Sequence, residues 1–181
     1  MRYKDITLRA LEPEDLELLY LWENNDANWL ISNTITPFSK YTLKLYIENS
    51  NKTLFETGQL RLMIDLSPEK ITIGTIDIFD FDSYHQRAGI GILIADDKYR
   101  HKGYASMALQ GLIDYCFKTL QLHQLYCNII ENNTESLNLF KKNGFNEIGV
   151  KKDWLKTTDG YLDEKMFQLI NHSNTSGKQH P

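Results

Sequence analysis

Six residues, Arg100-His101-Lys102-Gly103-Tyr104-Ala105, constrain this chain more than any other stretch. An apolar run ends just before them, near Ala95. After them Tyr104, Met107, Ala108, Gly111, Leu112, Tyr115, Cys116 and Thr119 recur at the spacing of one helix face. Ser106, Gln110, Asp114 and Lys118 take the opposite face. The order is therefore strand, basic glycine turn, helix. A helix start offers N–H groups without an intrahelical partner and the positive end of the helix dipole, which together suit phosphate oxygens. Gly103 lets the backbone approach an anion closely, while Arg100 and Lys102 add charge. The stretch matches neither GxxxxGK[ST] nor GxGxxG, so the better-known nucleotide loops are excluded.

The rest of the chain supplies alternating strand and helix signals around this turn. Residues 5–9 alternate as a first strand, and Pro13, Glu14 and Asp15 open a helix that runs to about Glu23. Residues 24–38 hold Asn, Asp, Ser and Pro with little periodicity and read as a long loop carrying Trp29. A helix over residues 39–49 follows, then strands over 59–65 and 71–81 joined by Ser67-Pro68-Glu69-Lys70. In the next strand, residues 87–95, Gly89 and Gly91 share a face and leave room for a ligand or a packed helix. A strand over 123–131 and a helix begun by Asn132 and ended by Gly144 come next. Strands over 146–150 and 165–170 close the fold. The reading is one domain over residues 1–170 and a polar, frayed tail over 171–181.

Composition narrows the function classes. The formal net charge of −4 argues against a nucleic-acid partner, which wants a basic face. No run of eighteen apolar residues and no secretory leader is visible, so no membrane partner and a cytoplasmic setting are expected. Cys116 and Cys127 fall in core segments and read as reduced, buried thiols. The five histidines lack metal-ligand spacing, so no metal is expected.

The loop RHKGYA also fits [QR]xxGx[GA]. About thirty residues on, Asn133, Ser136, Phe140 and the run KNGF at 142–145 fit N-x-x-[AS]-x-x-x-[YF]-x-K-x-GF. With both motifs in this order, the chain resembles the GNAT acetyltransferase superfamily over nearly its whole length. The segments ITLRALEPEDLELL, IDYCFKTLQLHQLYCNIIENN and GYLDEKMFQL are similar to the branch of bacterial spermidine/spermine N-acetyltransferases and ribosomal-protein N-terminal acetyltransferases.

The resemblance implies an α/β (α+β) domain with a central, mixed, mostly antiparallel twisted sheet. Helices flank that sheet, and a V-shaped cleft between residues 87–95 and 123–131 splits it to hold acetyl-CoA. By position, the backbone of Arg100, His101, Lys102, Gly103, Tyr104 and Ala105 would hold the pyrophosphate. Leu93, Ile94 and Ala95 would pair with the pantetheine arm, with Asn133 and Ser136 alongside it. The N–H of Leu93 would face the oxyanion. Phe140 stands where many relatives carry a tyrosine, and Gly89 where polyamine-type relatives often carry a carboxylate.

The implied reaction is attack of an amine on a thioester. An alkylamine of pKa about 10.4 is neutral in about one molecule in a thousand near neutral pH, a handicap of about 4 kcal/mol. Phe140 cannot donate a proton and Gly89 cannot accept one, so His85 and Tyr126 are the candidate substitutes. Tyr84, Asp77 and Asp80 lie nearby in sequence. Candidate acceptor residues are Glu23, Asp26, Trp29 and Glu48, with Trp154, Asp159 and Tyr161 as a wall. The leading acceptor is a polyamine or another small primary amine. A protein N-terminus is the alternative, and a non-catalytic acyl-CoA-binding module is the rival from another class. A homo-oligomer, dimeric or larger, fits the strand-rich C-terminal region.

Overall fold

Alternating apolar residues build eight strands among the described residues. They are β1 (Arg2–Tyr3), β2 (Ile6–Ala10), β3 (Leu60–Leu66), β4 (Ile71–Asp82), β5 (Arg87–Ile94), β6 (Gln124–Ile130), β7 (Asn146–Thr157) and β8 (Gly160–Ile170). The computed structural model describes residues 1–32 and 34–172. The strands form one sheet in the order β1-β2-β3-β4-β5-β6-β8-β7. Every neighbouring pair is antiparallel except β5 and β6, which are parallel. A parallel pair needs a crossover, and the basic loop with its helix is that crossover.

The helices are α1 (Leu16–Glu23), α2 (Asp26–Ser32), α3 (Lys40–Asn49), α4 (Leu54–Thr57), α5 (Tyr104–Asp114) and α6 (Thr134–Lys142). Helix α5 packs on β1, β2, β4 and β5, burying Ala108, Leu109, Gly111 and Leu112. It widens into a π-helical segment, Tyr115–Thr119, which still buries Cys116 but turns Thr119 out to solvent. The opposite face of the sheet carries a smaller core of Leu11, Leu19, Leu43, Ile47 and Met63 under α1 and α3. No described helix is long and apolar enough to cross a membrane.

Three expectations need correction. Residues 26–32 are helical rather than loop: Asn25 accepts from Ala27 N–H at 3.2 Å, so the polar cluster serves as a helix cap. The short helix α4, started by a reciprocal Thr53–Glu56 capping box, falls in a stretch to which the sequence pattern assigned no element. Asn171 is no frayed tail residue. It is buried, its N–H donates to the His123 carbonyl at 2.8 Å, and its Nδ2 reaches the Leu122 carbonyl at 3.3 Å. The remainder of the expected tail, residues 173–181, lies outside the described residues.

Candidate active site

The parallel pairing of β5 and β6 holds only at Arg87–Gln124, Ala88–Leu125 and Gly89–Tyr126. Beyond Gly89 the two strands no longer pair, and a narrow chamber of about 100 Å³ lies between them. Ile90, Gly91 and Ile92 line it from β5, and Cys127 and Asn128 from β6. Phe140 of α6 and Glu164 of β8 close it. A larger groove of about 1530 Å³ adjoins, sharing Ile92, Asn133 and Ser136 with the chamber. Its walls are the end of β5, the basic loop, the first turn of α6, and the segment from Tyr20 to Trp29. A long groove ending in a small chamber suits an extended ligand with its reactive end inside.

The hydrogen-bond phase of β5 decides which of its backbone groups face this space. Ala95 N–H donates to the Ile73 carbonyl at 2.9 Å. In an antiparallel ladder, residues two apart point the same way. Leu93, opposite Thr75, therefore spends its N–H on β4, and the N–H groups of Ile92 and Ile94 point to the open edge. This corrects the expectation for Leu93: the free donors beside the chamber belong to its two neighbours. The Ile94 carbonyl is already taken by Arg100 Nε at 3.0 Å. The open edge is thus a short strand ready to pair with an amide-bearing ligand.

The two glycines differ: Gly91 stays open to the chamber, with the Phe79 ring 3.7 Å from where its Cβ would be, while the room beside Gly89 is taken. The Phe79 ring lies there, so close that a Cβ on Gly89 would sit 2.2 Å from it. Gly74 is a close backbone approach, as its place within a strand foreshadows: a Cβ there would sit 1.9 Å from the Leu93 carbonyl oxygen.

In the basic loop, His101 and Gly103 take left-handed backbone conformations, with φ of 57° and 85°. Gly103 caps α5, and Met107 N–H donates to its carbonyl at 3.0 Å. The N–H groups of the first turn, Tyr104 to Ser106, precede the first helical bond and border the groove. The guanidinium of Arg100 turns back to Asp97 at 2.8 Å and to Ile94, so Arg100 fixes the loop rather than reaching outward. Lys102 lies 5.9 Å from the Tyr99 ring centre and lines neither cavity. His101 Nε2 stands 3.2 Å from Glu135, linking the loop to α6. Asn133 accepts from Ser136 N–H at 3.1 Å, so this pair also builds the start of α6.

The other candidates scatter. His85 sits in the exposed turn between β4 and β5 and lines neither cavity, as does its neighbour Tyr84. The Tyr126 hydroxyl donates to Asp80 at 3.0 Å outside the chamber. Burial and that carboxylate push its pKa up to about 12, which suits neither a base nor a ready acid. Phe140 does wall the chamber, 3% exposed and edge-on to Phe145. Asp26 and Trp29 border the groove, and Trp29 Nε1 donates to the Glu23 carbonyl at 3.0 Å. The Glu23 carboxylate is bound to Arg61, which also holds Asp77 at 2.7 Å, so it is committed to an ion-pair network. Glu48 is exposed, 3.9 Å from Lys44 and away from both cavities. Trp154 and Tyr161 are 57% and 59% exposed, and with Asp159 they stand off the chamber.

The residues that do face the chamber were mostly not anticipated: Asn128, Leu155, Cys127 and Glu164. Burial pushes the Cys127 thiol well above its usual range, so it stays protonated and is no nucleophile. Among the described residues no group of three or more His, Cys, Asp or Glu could hold a metal ion.

Comparison with known proteins shows the family. The family model described as an acetyltransferase (GNAT) domain matches residues 5–146. The uncharacterized N-acetyltransferase p20 of Bacillus licheniformis is 30% identical over 167 residues, covering 91% of this chain and 92% of that protein. The spermidine N(1)-acetyltransferase of Vibrio cholerae is 26% identical, with coverage of 91% and 92%. A crystal structure of the V. cholerae spermidine N-acetyltransferase with CoA and spermine superposes with a TM-score of 0.82 at 25% identity. That match covers 92% of this chain and 95% of the other.

Proposed function

We propose that the acceptor of this chain is a small primary amine, from the premise that the chain belongs to the GNAT acetyltransferase family and is an acetyl-CoA-dependent N-acetyltransferase. The observation that carries the reading is the open edge of β5. It runs from the anion-suited start of α5 into a chamber just large enough for an acyl group. Acetyl-CoA supplies an activated acyl carbon and a thiol leaving group. In this account the first turn of α5 holds the diphosphate, and the Ile94 N–H pairs with the arm. Ile92, which lines the chamber, offers its N–H to the developing oxyanion.

The charge of the site supports a cationic acceptor. Asp26 borders the groove at the end away from the basic loop, and the whole chain carries a formal net charge of −4. The V. cholerae relative is named for spermidine and its structure holds spermine, and we extend that polyamine class to this chain. Thiol release from acetyl-CoA, measured across spermidine, spermine, putrescine, simple amines and short peptides, tests this. Turnover on amines but not on peptide N-termini is expected. Turnover on peptides alone would move the acceptor to a protein N-terminus.

Phe140 adds a second test. The chamber wall at this position offers no proton to a departing thiolate, which can leave without one at modest cost. Phe140→Tyr is expected to raise kcat about threefold to tenfold, a fraction of what general-acid help can give. An unchanged or lower kcat in a folded variant would show that this wall is not where the proton is needed.

A further inference from the structure

The chamber lacks a base at every position the motifs suggest, yet it contains a carboxylate. Glu164 is 6% exposed and lines the chamber with Phe140, Gly91 and Ile92. Its Oε2 accepts from Lys151 Nζ at 2.7 Å, and its Oε1 has no hydrogen-bond partner among the described residues. Glu164 sits opposite Ile130 in the β6–β8 ladder. Side chains alternate along a strand and cross-strand partners share a face, so Glu164 shares its sheet face with Asn128 and Tyr126. Through the Tyr126–Gly89 and Gly91–Asp77 pairs, that face is also the one that carries α1 and α3. Phe140 packs with Cys127 and Ile129 on the other face. The carboxylate thus stands on the side of the chamber from which an acceptor can enter without displacing the helix at residues 134–142.

The geometry points to Glu164 as the residue that binds the acceptor ammonium and takes its proton, a role that rests on the acetyl-transfer reading above. Lys151 shows that an alkylammonium fits this carboxylate, and with its side chain a third exposed and its Nζ already 4.8 Å from the Trp154 ring centre it can release Glu164 while keeping that ring contact. An incoming R–NH3⁺ takes its place and passes one proton to Glu164, which returns it to solvent. The resulting R–NH2 attacks the acyl carbon, forming a C–N bond, and the C–S bond breaks. The second amine proton goes to the departing thiolate. The products are the amide and the thiol, with one proton released overall.

The test compares acceptors that differ in whether they need a base. Glu164→Gln is assayed with the best alkylamine of the panel and with aminoacetonitrile, which is largely neutral at assay pH. Acetyl-CoA affinity is measured by calorimetry alongside. The expected result is CoA affinity within about threefold of wild type and kcat on the alkylamine down about a hundredfold, the low end of general-base effects. The loss on aminoacetonitrile should be no more than about threefold. An equal loss on both amines, or no loss on the alkylamine, overturns the assignment. If the single variant fails to fold because Lys151 is left unpaired, the double variant Lys151→Met with Glu164→Gln removes both charges and must show the same selective loss. A wild type that binds CoA but acetylates no amine sinks the acceptor reading and this one with it. Wild-type turnover with an undiminished Glu164→Gln sinks this one alone.

Discussion

Gly74→Ala is expected to lower the unfolding midpoint by about 10 °C and to cut turnover by about tenfold. The alanine Cβ would sit 1.9 Å from the Leu93 carbonyl oxygen, a backbone atom held in the β4–β5 ladder. The two strands must separate by more than an ångström to relieve that contact. Overpacking a closed interior costs about 3 kcal/mol at the upper end of its usual range, and each kcal/mol is worth about 2–4 °C in a chain of this size. The functional loss has a separate origin. The Leu93 carbonyl shares its peptide plane with the Ile94 N–H, a donor that faces the cleft, so pushing on that carbonyl rotates the donor. Displacements of about 1 Å at a reacting centre are enough for large rate effects. Thermal unfolding and steady-state kinetics on the same preparation read both effects. A midpoint within about 1 °C of wild type would mean that β4 and β5 are not in this close approach.

Gly103→Val should leave the fold nearly intact and weaken acetyl-CoA binding about a hundredfold. Gly103 has φ of 85°, a region that a β-branched residue enters only at a cost of about 1–2 kcal/mol. The nearest neighbour of a Cβ there is the end of the Met107 side chain at 3.9 Å, so the effect is conformational rather than a clash. The loop relaxes by turning the first N–H groups of α5 away from the groove. Two hydrogen bonds to a charged group, at about 1.5 kcal/mol each, account for the expected loss. Calorimetric titration with acetyl-CoA measures it. An unchanged affinity in the folded variant would remove the loop from the binding site.

How much of this was legible in the sequence varied with how local the cause was. The loop, α5, α6 and the order of strands around them follow from glycine, caps and apolar spacing, and the structure places them as read except that Asn133, not Asn132, caps α6. The N–H of Leu93 was misassigned because strand position is legible in a sequence while the phase of the ladder is not. That phase depends on which β4 residue lies opposite, and it emerges only from the Ala95–Ile73 bond. Residues 26–32 looked like a loop because Asn25 and Asp26 favour turns and helix caps alike.

Glu164 was hidden for a clearer reason. Carried in even register from the turn between Thr157 and Gly160, it would face Asp153, a like charge, and read as an exposed strand acid. A register shift between Lys151 and Leu155, with Asp153 at φ of 50°, brings Lys151 opposite instead. The bulge thus makes an ion pair where simple counting puts a repulsion. That Glu164 lines a chamber depends further on β5 and β6 parting after Gly89, which is set by the pairing of distant segments.

Amide hydrogen exchange with and without saturating CoA tests the central claim most directly, residue by residue. The N–H groups of Ile92 and Ile94 should exchange readily in the free protein and become protected on binding, together with those of Tyr104, Ala105 and Ser106. Leu93, already bonded to β4, should change little. Saturable CoA binding that leaves Ile92, Ile94 and the first turn of α5 unprotected would contradict the account, and so would an absence of binding at millimolar CoA.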